Sequence, residues 1–128
     1  MKAALERVLY VEDDPDIRVI GTFALQDVGG LTVKACGSGA EAVAAAADFG
    51  PQLLLLDVMM PQMDGPAALR ALRALAATAS TPAVFMTAKV QTKEVESYRQ
   101  LGALEVIAKP FDPMTLAAQI RALYERES

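Results

Sequence analysis

Short apolar runs alternate with segments of helical periodicity along the whole chain. The most pronounced run is a row of four leucines at residues 53–56, in which no polar residue alternates with an apolar one. A strand that is apolar at every position is typical of a parallel sheet with both faces covered by helices. The other predicted strands are the runs at residues 8–11, 31–36, 83–86 and 104–108.

Polar residues and prolines mark where the helices between these strands begin. Asp14 and Asp112 each precede a proline, which is the pattern of an N-cap followed by a proline in the first turn. Ser38 and Glu41 have the spacing of a capping box, in which each side chain accepts a hydrogen bond from the backbone N–H of the other residue. Pro66 predicts the start of a third helix.

Apolar residues within these segments recur every three or four positions, as on one face of a helix. In the first helix, which ends at a pair of glycines, the predicted buried face consists of Ile17, Ile20, Ala24 and Val28. We expect the third helix to continue until the Ser-Thr-Pro at residues 80–82 breaks it, and a fourth to be centred on residues 95–101.

Five strands that alternate with five helices predict an α/β fold. Crossover helices between parallel strands form right-handed units, which give a doubly wound sheet with helices on both faces. A chain of 128 residues has the length of one such domain with one core. We therefore expect a single domain over residues 1–128, without an output domain of another kind.

Composition and charge narrow the classes of function. The net charge of −4 and the pI of about 4.8 argue against direct binding of nucleic acid, which relies on basic patches. The chain has no histidine and one cysteine, Cys36, so we expect neither an internal disulfide nor a His/Cys metal site. No apolar stretch approaches the ~20 residues of a membrane span, and the N-terminus lacks the apolar core of a signal peptide. We expect a cytoplasmic protein without a membrane partner.

Residues that could perform chemistry follow directly after the predicted strands. Asp57 comes after the four leucines. The others are Glu12 and Asp13 after the first strand, Thr87 after the fourth and Lys109 after the fifth. Ligands of open α/β sheets bind at this carboxyl edge, which all the parallel strands share. The sequence therefore predicts one pocket that contains these side chains, although an aspartate at a strand end can also simply open a turn.

The predicted pocket suits magnesium-dependent phosphoryl chemistry. Three carboxylates in one cleft repel one another, and a cation would hold them ionised near neutral pH. Mg2+ prefers oxygen ligands and often combines one or two carboxylates with a phosphate. A carboxylate can also attack phosphorus to form an acyl phosphate, while an ammonium and a hydroxyl stabilise the phosphoryl oxygens.

Four short motifs stand at the ends of predicted strands. They are Val-Glu-Asp-Asp at residues 11–14, Asp-Val-Met-Met-Pro-Gln-Met-Asp-Gly at 57–65, Met-Thr-Ala-Lys at 86–89 and Ala-Lys-Pro-Phe at 108–111. Through them the chain resembles the receiver domain of two-component response regulators over its whole length. The resemblance implies a flavodoxin-like, CheY-like fold, with a five-stranded parallel sheet in the order 2-1-3-4-5 and five helices.

The resemblance also implies a phosphoryl-transfer role for this pocket. Asp57 would accept a phosphoryl group from a sensor histidine kinase or a histidine phosphotransfer protein. Lys109 would pair with one phosphoryl oxygen, and the hydroxyl of Thr87 would donate to another. Receivers usually carry an aromatic residue three positions before the lysine, whereas this chain has Val106, which has no ring to expose. We expect a conformational switch to act through the segment after Thr87 and the fourth helix.

For Mg2+, the resemblance implies ligands from two strand ends and the loop after the acceptor. Asp13 would be a direct ligand and Glu12 a ligand through water, together with Asp57 and the backbone carbonyl of Met59. The pair Asp13-Asp14 is an alternative, but Asp14 precedes a proline and is better placed as the helix cap.

The expected function is that of a stand-alone receiver. It would signal by phosphorylation-dependent binding to another protein and would catalyse only its own phosphorylation and dephosphorylation. One alternative is a Mg2+-dependent phosphohydrolase of the haloacid-dehalogenase type, which needs a second acid where this chain has Met59. The other is a pseudo-receiver that binds partners without phosphorylation and has no need of a complete acidic pocket.

Overall fold

Five parallel strands form a central sheet within residues 3–127, which are the residues that this computed structural model describes. They are β1 (Arg7–Val11), β2 (Thr32–Cys36), β3 (Leu53–Asp57), β4 (Ala83–Thr87) and β5 (Ala103–Ala108). Across the sheet they lie in the order β2-β1-β3-β4-β5, and every neighbouring pair is parallel. The flavodoxin-like fold and the strand order predicted above are thus confirmed.

Helices cover both faces of this sheet. They are α1 (Pro15–Thr22), α2 (Gly39–Phe49), α3 (Gly65–Arg73), α4 (Thr92–Gln100) and α5 (Leu116–Arg126). A π-helix over Phe23–Val28 continues α1, and this continuation packs with α5 on one face, whereas α2 and α3 pack on the other. Within the described part of the chain, every helix falls short of the length and apolar character that crossing a membrane requires.

The four leucines of β3 lie at the centre of the core. Each is fully buried, and consecutive side chains point to opposite faces of the sheet. Leu53 and Leu55 join the core on the α5 side, whereas Leu54 and Leu56 join the core on the side of α2 and α3. Because burial of a leucine side chain contributes about 1.5–3 kcal/mol, the strand that ends in Asp57 is firmly anchored on both faces.

The predicted caps of α1 and α2 are present, with one difference of detail. The carboxylate of Asp14 accepts hydrogen bonds from two backbone N–H groups in the first turn of α1, and Ser38 accepts one from the N–H of Glu41. Glu41, however, accepts from the N–H of Gly37 at 3.0 Å. The predicted capping box is therefore only half formed, because the glutamate side chain reaches one residue beyond the cap.

The start of α5 differs from the prediction at Asp112. Its carboxylate accepts from the N–H of Met114 at 2.9 Å, and its carbonyl accepts from the N–H of Leu116 at 3.0 Å. These bonds close a turn over residues 112–115, so the helix begins at Leu116, after Thr115. An aspartate before a proline can form such a local turn as readily as a helix cap.

The third helix ends at Arg73, earlier than the predicted break at residues 80–82. The hydroxyl of buried Thr78 donates to the carbonyl of Leu72, and the Arg73 guanidinium donates to the carbonyl of Thr78 at 3.0 Å. The hydroxyl of Thr78 thus satisfies a carbonyl in the last turn of the helix, and a short 3-10 turn over Ala76–Thr78 follows.

The buried face of the first helix also differs from the prediction. Ile20 is 47% exposed, whereas Gly21 is buried against Tyr10 with no space for a side chain. Beyond Thr22 the hydrogen bonds change to the π pattern, in which the N–H of Gly29 donates to the carbonyl of Ala24 at 3.1 Å. Ile20 and Gly21 both lie in α1, before the π-helix, so the close packing of Gly21 against Tyr10, and not the wider turn, accounts for the exposed Ile20.

Candidate functional site

The polar residues predicted at the strand ends converge at one edge of the sheet. Glu12 follows β1, Asp57 ends β3, Thr87 ends β4 and Lys109 follows β5. A pocket of about 250 Å3 at this edge is lined by Glu12, Asp13, Asp14, Ile17, Asp57, Met59, Ala88 and Lys109. Of the predicted site residues, Thr87 alone is not part of this lining.

Backbone contacts fix the position of Asp57. The N–H of Val58 donates to the carbonyl of Met86 at 3.0 Å, so pairing with β4 extends one residue beyond Asp57. The N–H of Gly65 donates to the carbonyl of Val58 at 2.9 Å, which folds the intervening loop back onto β3. A Cβ atom at Gly65 would lie 2.6 Å from the carbonyl oxygen of Asp57, so only glycine allows this close return.

Lys109 connects the two buried acids of the pocket. Its ammonium lies 2.8 Å from Oε1 of Glu12 and 3.3 Å from Oδ1 of Asp57. Glu12 is 1% exposed and Asp57 is 2% exposed, so both carboxylates are shielded from water. Oε2 of Glu12 accepts a hydrogen bond from the N–H of Asp14 at 3.2 Å. Both carboxylate oxygens of Glu12 are therefore held in place.

Burial, followed by the charge and hydrogen bonding of Glu12, raises the pKa of Asp57 from 3.8 to about 7. Lys109 opposes this change because its positive charge favours the ionised carboxylate. Burial alone would lower the pKa of Lys109, but its hydrogen bond with Glu12 and the charge of Asp57 raise it. At neutral pH the pocket thus combines a protonated lysine with an aspartate near the midpoint of its titration, and such shifted groups are typical of functional sites.

Three carboxylates of the pocket form a group suited to a divalent cation. Glu12, Asp13 and Asp57 each offer one oxygen, and these atoms all lie within 4.8 Å of one another. A set of oxygen ligands fits Mg2+, and a cation would relieve the repulsion that helps to raise the pKa of Asp57. Met59 lines the same pocket. Asp14, the alternative acid, instead caps α1.

Thr87 and Val106 lie in the adjoining core. The hydroxyl oxygen of Thr87, a buried residue, accepts a hydrogen bond from the N–H of Lys89 at 3.1 Å. Val106 is half-buried and packs against the core on the side of α2 and α3. An aromatic side chain in this part of the core comes from Tyr98 of α4, whose ring contacts Phe85 edge-on with centroids 5.4 Å apart.

Arg18 contacts the site, although the sequence reasoning did not identify it. Its Nη1 donates to the carbonyl of Glu12 at 2.8 Å and lies 3.5 Å from the carbonyl of Asp13. A lone arginine on a helix is ordinarily a solvated charge, so its residue type is no signal. Its position one turn after the Asp14 cap is a signal, because helical side chains point back toward the N-terminus of their helix.

Comparison with known proteins identifies the class to which this fold and site belong. The model of the response regulator receiver domain family matches residues 8–121, and the chain belongs to that family. Among solved structures, chemotaxis protein CheY4 of Vibrio cholerae is similar to this chain with a TM-score of 0.86 and 30% sequence identity. The match covers 94% of this chain and 99% of that one.

Full-length response regulators are similar to the chain over part of their length. The DNA-binding response regulator MtrA of Mycolicibacterium smegmatis is 36% identical over 126 residues, which are 98% of this chain and 54% of MtrA. Response regulator Rre1 of Synechocystis is 36% identical over 120 residues, which are 94% of this chain and 52% of Rre1. The chain thus spans about half the length of the curated relatives it matches.

Proposed function

We propose that this receiver accepts a phosphoryl group on Asp57 from the phosphohistidine of a sensor histidine kinase or a histidine phosphotransfer protein. One observation carries the proposal. The carboxylate of Asp57 is buried at the end of β3, 3.3 Å from the ammonium of Lys109 and clustered with two further acids. Membership of the receiver family supports the same chemistry.

In the proposed step, a carboxylate oxygen of Asp57 attacks the phosphorus atom of the phosphohistidine. A new O–P bond forms while the N–P bond breaks, and the electron pair of that bond returns to the imidazole. The imidazole leaves as a neutral group when its other nitrogen carries a proton. Only the ionised carboxylate is the nucleophile, and a pKa of about 7 leaves a substantial fraction of Asp57 ionised at neutral pH.

Lys109 and Thr87 would hold the transferred group. The ammonium of Lys109 already lies beside the acceptor oxygen, so it is placed to pair with a phosphoryl oxygen attached to Asp57. The hydroxyl oxygen of Thr87 accepts from the N–H of Lys89, and its proton has no acceptor among the described residues. That proton is therefore available for a second phosphoryl oxygen.

The acids of the pocket would hold Mg2+. The residues that fit are Glu12, Asp13 and Asp57, with the backbone carbonyl of Met59 as a further oxygen. A bound Mg2+ would keep the carboxylates ionised and neutralise charge on the phosphoryl oxygens.

The output is proposed to be the binding of a protein partner. The relative MtrA is named a DNA-binding response regulator, and the chain matches 54% of its length. The net charge of −4 on the present chain disfavours direct contact with a polyanion and supports a protein as the downstream target.

Beyond its own phosphorylation and dephosphorylation, we propose that the chain turns over no substrate. Met59, which is 64% exposed, occupies the position two residues after the nucleophile. A phosphohydrolase of the haloacid-dehalogenase type carries its general acid at that position, and a thioether cannot protonate a leaving group. Incubation with phosphate esters is therefore expected to release no more than about one molecule of product per molecule of protein.

Acetyl phosphate with Mg2+ tests the proposed acceptor without a partner protein. Intact-mass spectrometry is expected to show one added phosphoryl group that is stable in acid and lost in base. Asp57→Asn is expected to show none, and Asp48→Asn, which alters an exposed aspartate of α2, is expected to match wild type. Persistence of the adduct in Asp57→Asn, or its absence from wild type, would overturn the assignment.

A further inference from the structure

The loop between β1 and α1 carries two of the three acids and is held by a side chain that the proposed mechanism does not use. Nη1 of Arg18 donates to the carbonyl of Glu12 at 2.8 Å and lies 3.5 Å from the carbonyl of Asp13. The N–H of Arg18 in turn donates to the carbonyl of Asp14 at 2.8 Å. Consecutive carbonyls of the loop thus face one arginine.

The guanidinium also fits against the loop after β2. A Cβ atom at Gly37 would lie 3.0 Å from Nη1 of Arg18, so the absence of a side chain there leaves room for the arginine. The same two loops are joined where the N–H of Glu12 donates to the carbonyl of Cys36 at 3.0 Å. Arg18 therefore lies between two loops and is restrained from both sides.

This arrangement opposes the repulsion within the pocket. Three carboxylates whose oxygens lie within 4.8 Å repel one another, and a loop without a restraint would relax so that its acids separate. The planar guanidinium presents several donors in a fixed geometry, which suits simultaneous contact with neighbouring carbonyls better than the single ammonium of lysine does.

We propose that Arg18 is a positioning residue for the cation site. It holds the backbone of Glu12 and Asp13 so that their carboxylates stay near Asp57, and it thereby sets the affinity for Mg2+. Outer contacts that orient metal ligands commonly change metal affinity by about 10–100-fold when they are removed. The consequence for phosphorylation rests on the function proposed above, whereas the consequence for Mg2+ binding does not.

Isothermal titration with Mg2+ alone tests the proposal directly. Arg18→Met keeps the length of the side chain without its donors and is expected to weaken Mg2+ binding about 10-fold or more. Arg18→Lys retains the charge with one ammonium and is expected to lose less. Gly37→Ala, which crowds the guanidinium without changing it, is expected to shift affinity in the same direction. Arg70→Met removes an exposed arginine of α3 and is expected to match wild type.

A second readout separates positioning from a general loss of structure. With acetyl phosphate as donor, the Mg2+ concentration for half-maximal phosphorylation is expected to rise in Arg18→Met, while the rate at saturating Mg2+ approaches that of wild type. A small donor also excludes lost contact with a kinase as the cause. If Arg18→Met fails to fold, Arg18→Lys and Gly37→Ala decide the question by the same two measurements.

The outcomes distinguish the two proposals. Mg2+ affinity of the folded Arg18 variants within about twofold of wild type would overturn the positioning role, since removing such contacts ordinarily costs far more. Wild type that binds Mg2+ but takes up no phosphoryl group would overturn the proposed function. The isothermal titration with Mg2+ would then still decide whether Arg18 positions the cation site. Wild type that binds no Mg2+ would overturn both.

Discussion

The ammonium of Lys109 lies closer to Glu12 than to Asp57, at 2.8 Å against 3.3 Å. One cation thus bridges acids that come from the ends of β1 and β3. Its presence does not restore an ordinary pKa to Asp57, because burial and the charge of Glu12 together outweigh it. The acceptor is consequently a carboxylate whose ionisation is costly, and its neighbours control that cost.

Lys109→Met is expected to raise the pKa of Asp57 further above its value of about 7, because the substitution removes the neighbour that favours the ionised form. Fewer molecules would then carry the nucleophile at neutral pH, and phosphorylation by acetyl phosphate at pH ~7 should slow by about 5-fold for the first added pKa unit. Carbon NMR titration of the Asp57 carboxyl without added cation measures the pKa. Lys34→Met, at an exposed position of β2, is the matched control. An unchanged titration midpoint in Lys109→Met would contradict this electrostatic account.

Asp57→Asn is expected to increase stability at neutral pH when no divalent cation is present. The raised pKa means that the native state holds a proton that the unfolded state has released between pH 3.8 and about 7. The free energy of unfolding of wild type therefore falls as the pH rises through that window, and it levels off above the window. The amide cannot ionise, so the variant should lack this decline and be more stable by about 1–4 kcal/mol near pH ~8.

Urea unfolding at a series of pH values checks this prediction. Asp48→Asn is expected to keep the wild-type profile, since Asp48 is exposed on α2. Parallel stability profiles for wild type and Asp57→Asn would show that burial does not disfavour the ionised form of Asp57. Added Mg2+ should stabilise wild type and leave Asp57→Asn nearly unaffected, because the variant lacks one of the clustered carboxylates.

Gly65→Ala is expected to damage both the fold and the acceptor. The added methyl would lie 2.6 Å from the carbonyl oxygen of Asp57 and 2.9 Å from Cα of Val58, so the end of β3 must shift. We expect a loss of about 1–3 kcal/mol in urea unfolding, as is usual for overpacking, together with slower phosphorylation. Gly50→Ala is the control, because it introduces strain at a positive φ of 64° after α2, where a Cβ atom would meet nothing within 4 Å. Equal rates of phosphorylation in the two variants would contradict a specific effect on Asp57.

The pocket could be predicted from sequence because of the sheet topology. Parallel strands end at one edge, so polar residues placed directly after apolar runs meet in space even when they are far apart in the chain. Glu12 and Lys109, which form an ion pair at 2.8 Å, are separated by 97 positions. Predicting that they meet required only the strand boundaries and the strand order. Apolar runs mark the boundaries, and the family resemblance implied the order.

Features that depend on tertiary contacts could not be predicted in this way. The burial of Gly21 and the exposure of Ile20 follow from close packing of Gly21 against Tyr10, a tertiary contact that no helical period encodes. The late start of α5 depends on a turn closed by Asp112, whose residue type permits either a turn or a cap. The contact of Arg18 with two carbonyls depends on the folded loop. Arginine is common on the exposed surface of helices, so its residue type alone did not indicate this contact.

The switch is expected to act through an aromatic pair on β4 and α4, because β5 carries Val106 where receivers usually carry a ring. Phe85 lies two residues before Thr87, so both side chains point to the same face of β4. The ring of Tyr98 contacts Phe85 edge-on at 5.4 Å with an interplanar angle of 72°. A movement of Thr87 toward a phosphoryl group on Asp57 would therefore reach α4 through this pair.

Amide NMR spectra with and without fluoroberyllate, a phosphoryl analogue, measure this coupling. In wild type the signals of α4 are expected to shift on addition of the analogue. Tyr98→Ala should abolish most of that shift while Asp57 is still phosphorylated by acetyl phosphate, because the substitution removes the ring contact and leaves the pocket intact. It should also lower stability by at least the ~0.5–1.5 kcal/mol of an aromatic pair. Leu101→Ala, which shortens a 45% exposed side chain at the end of α4, is the control. An α4 response in Tyr98→Ala equal to that of wild type would show that the signal reaches α4 without this aromatic pair.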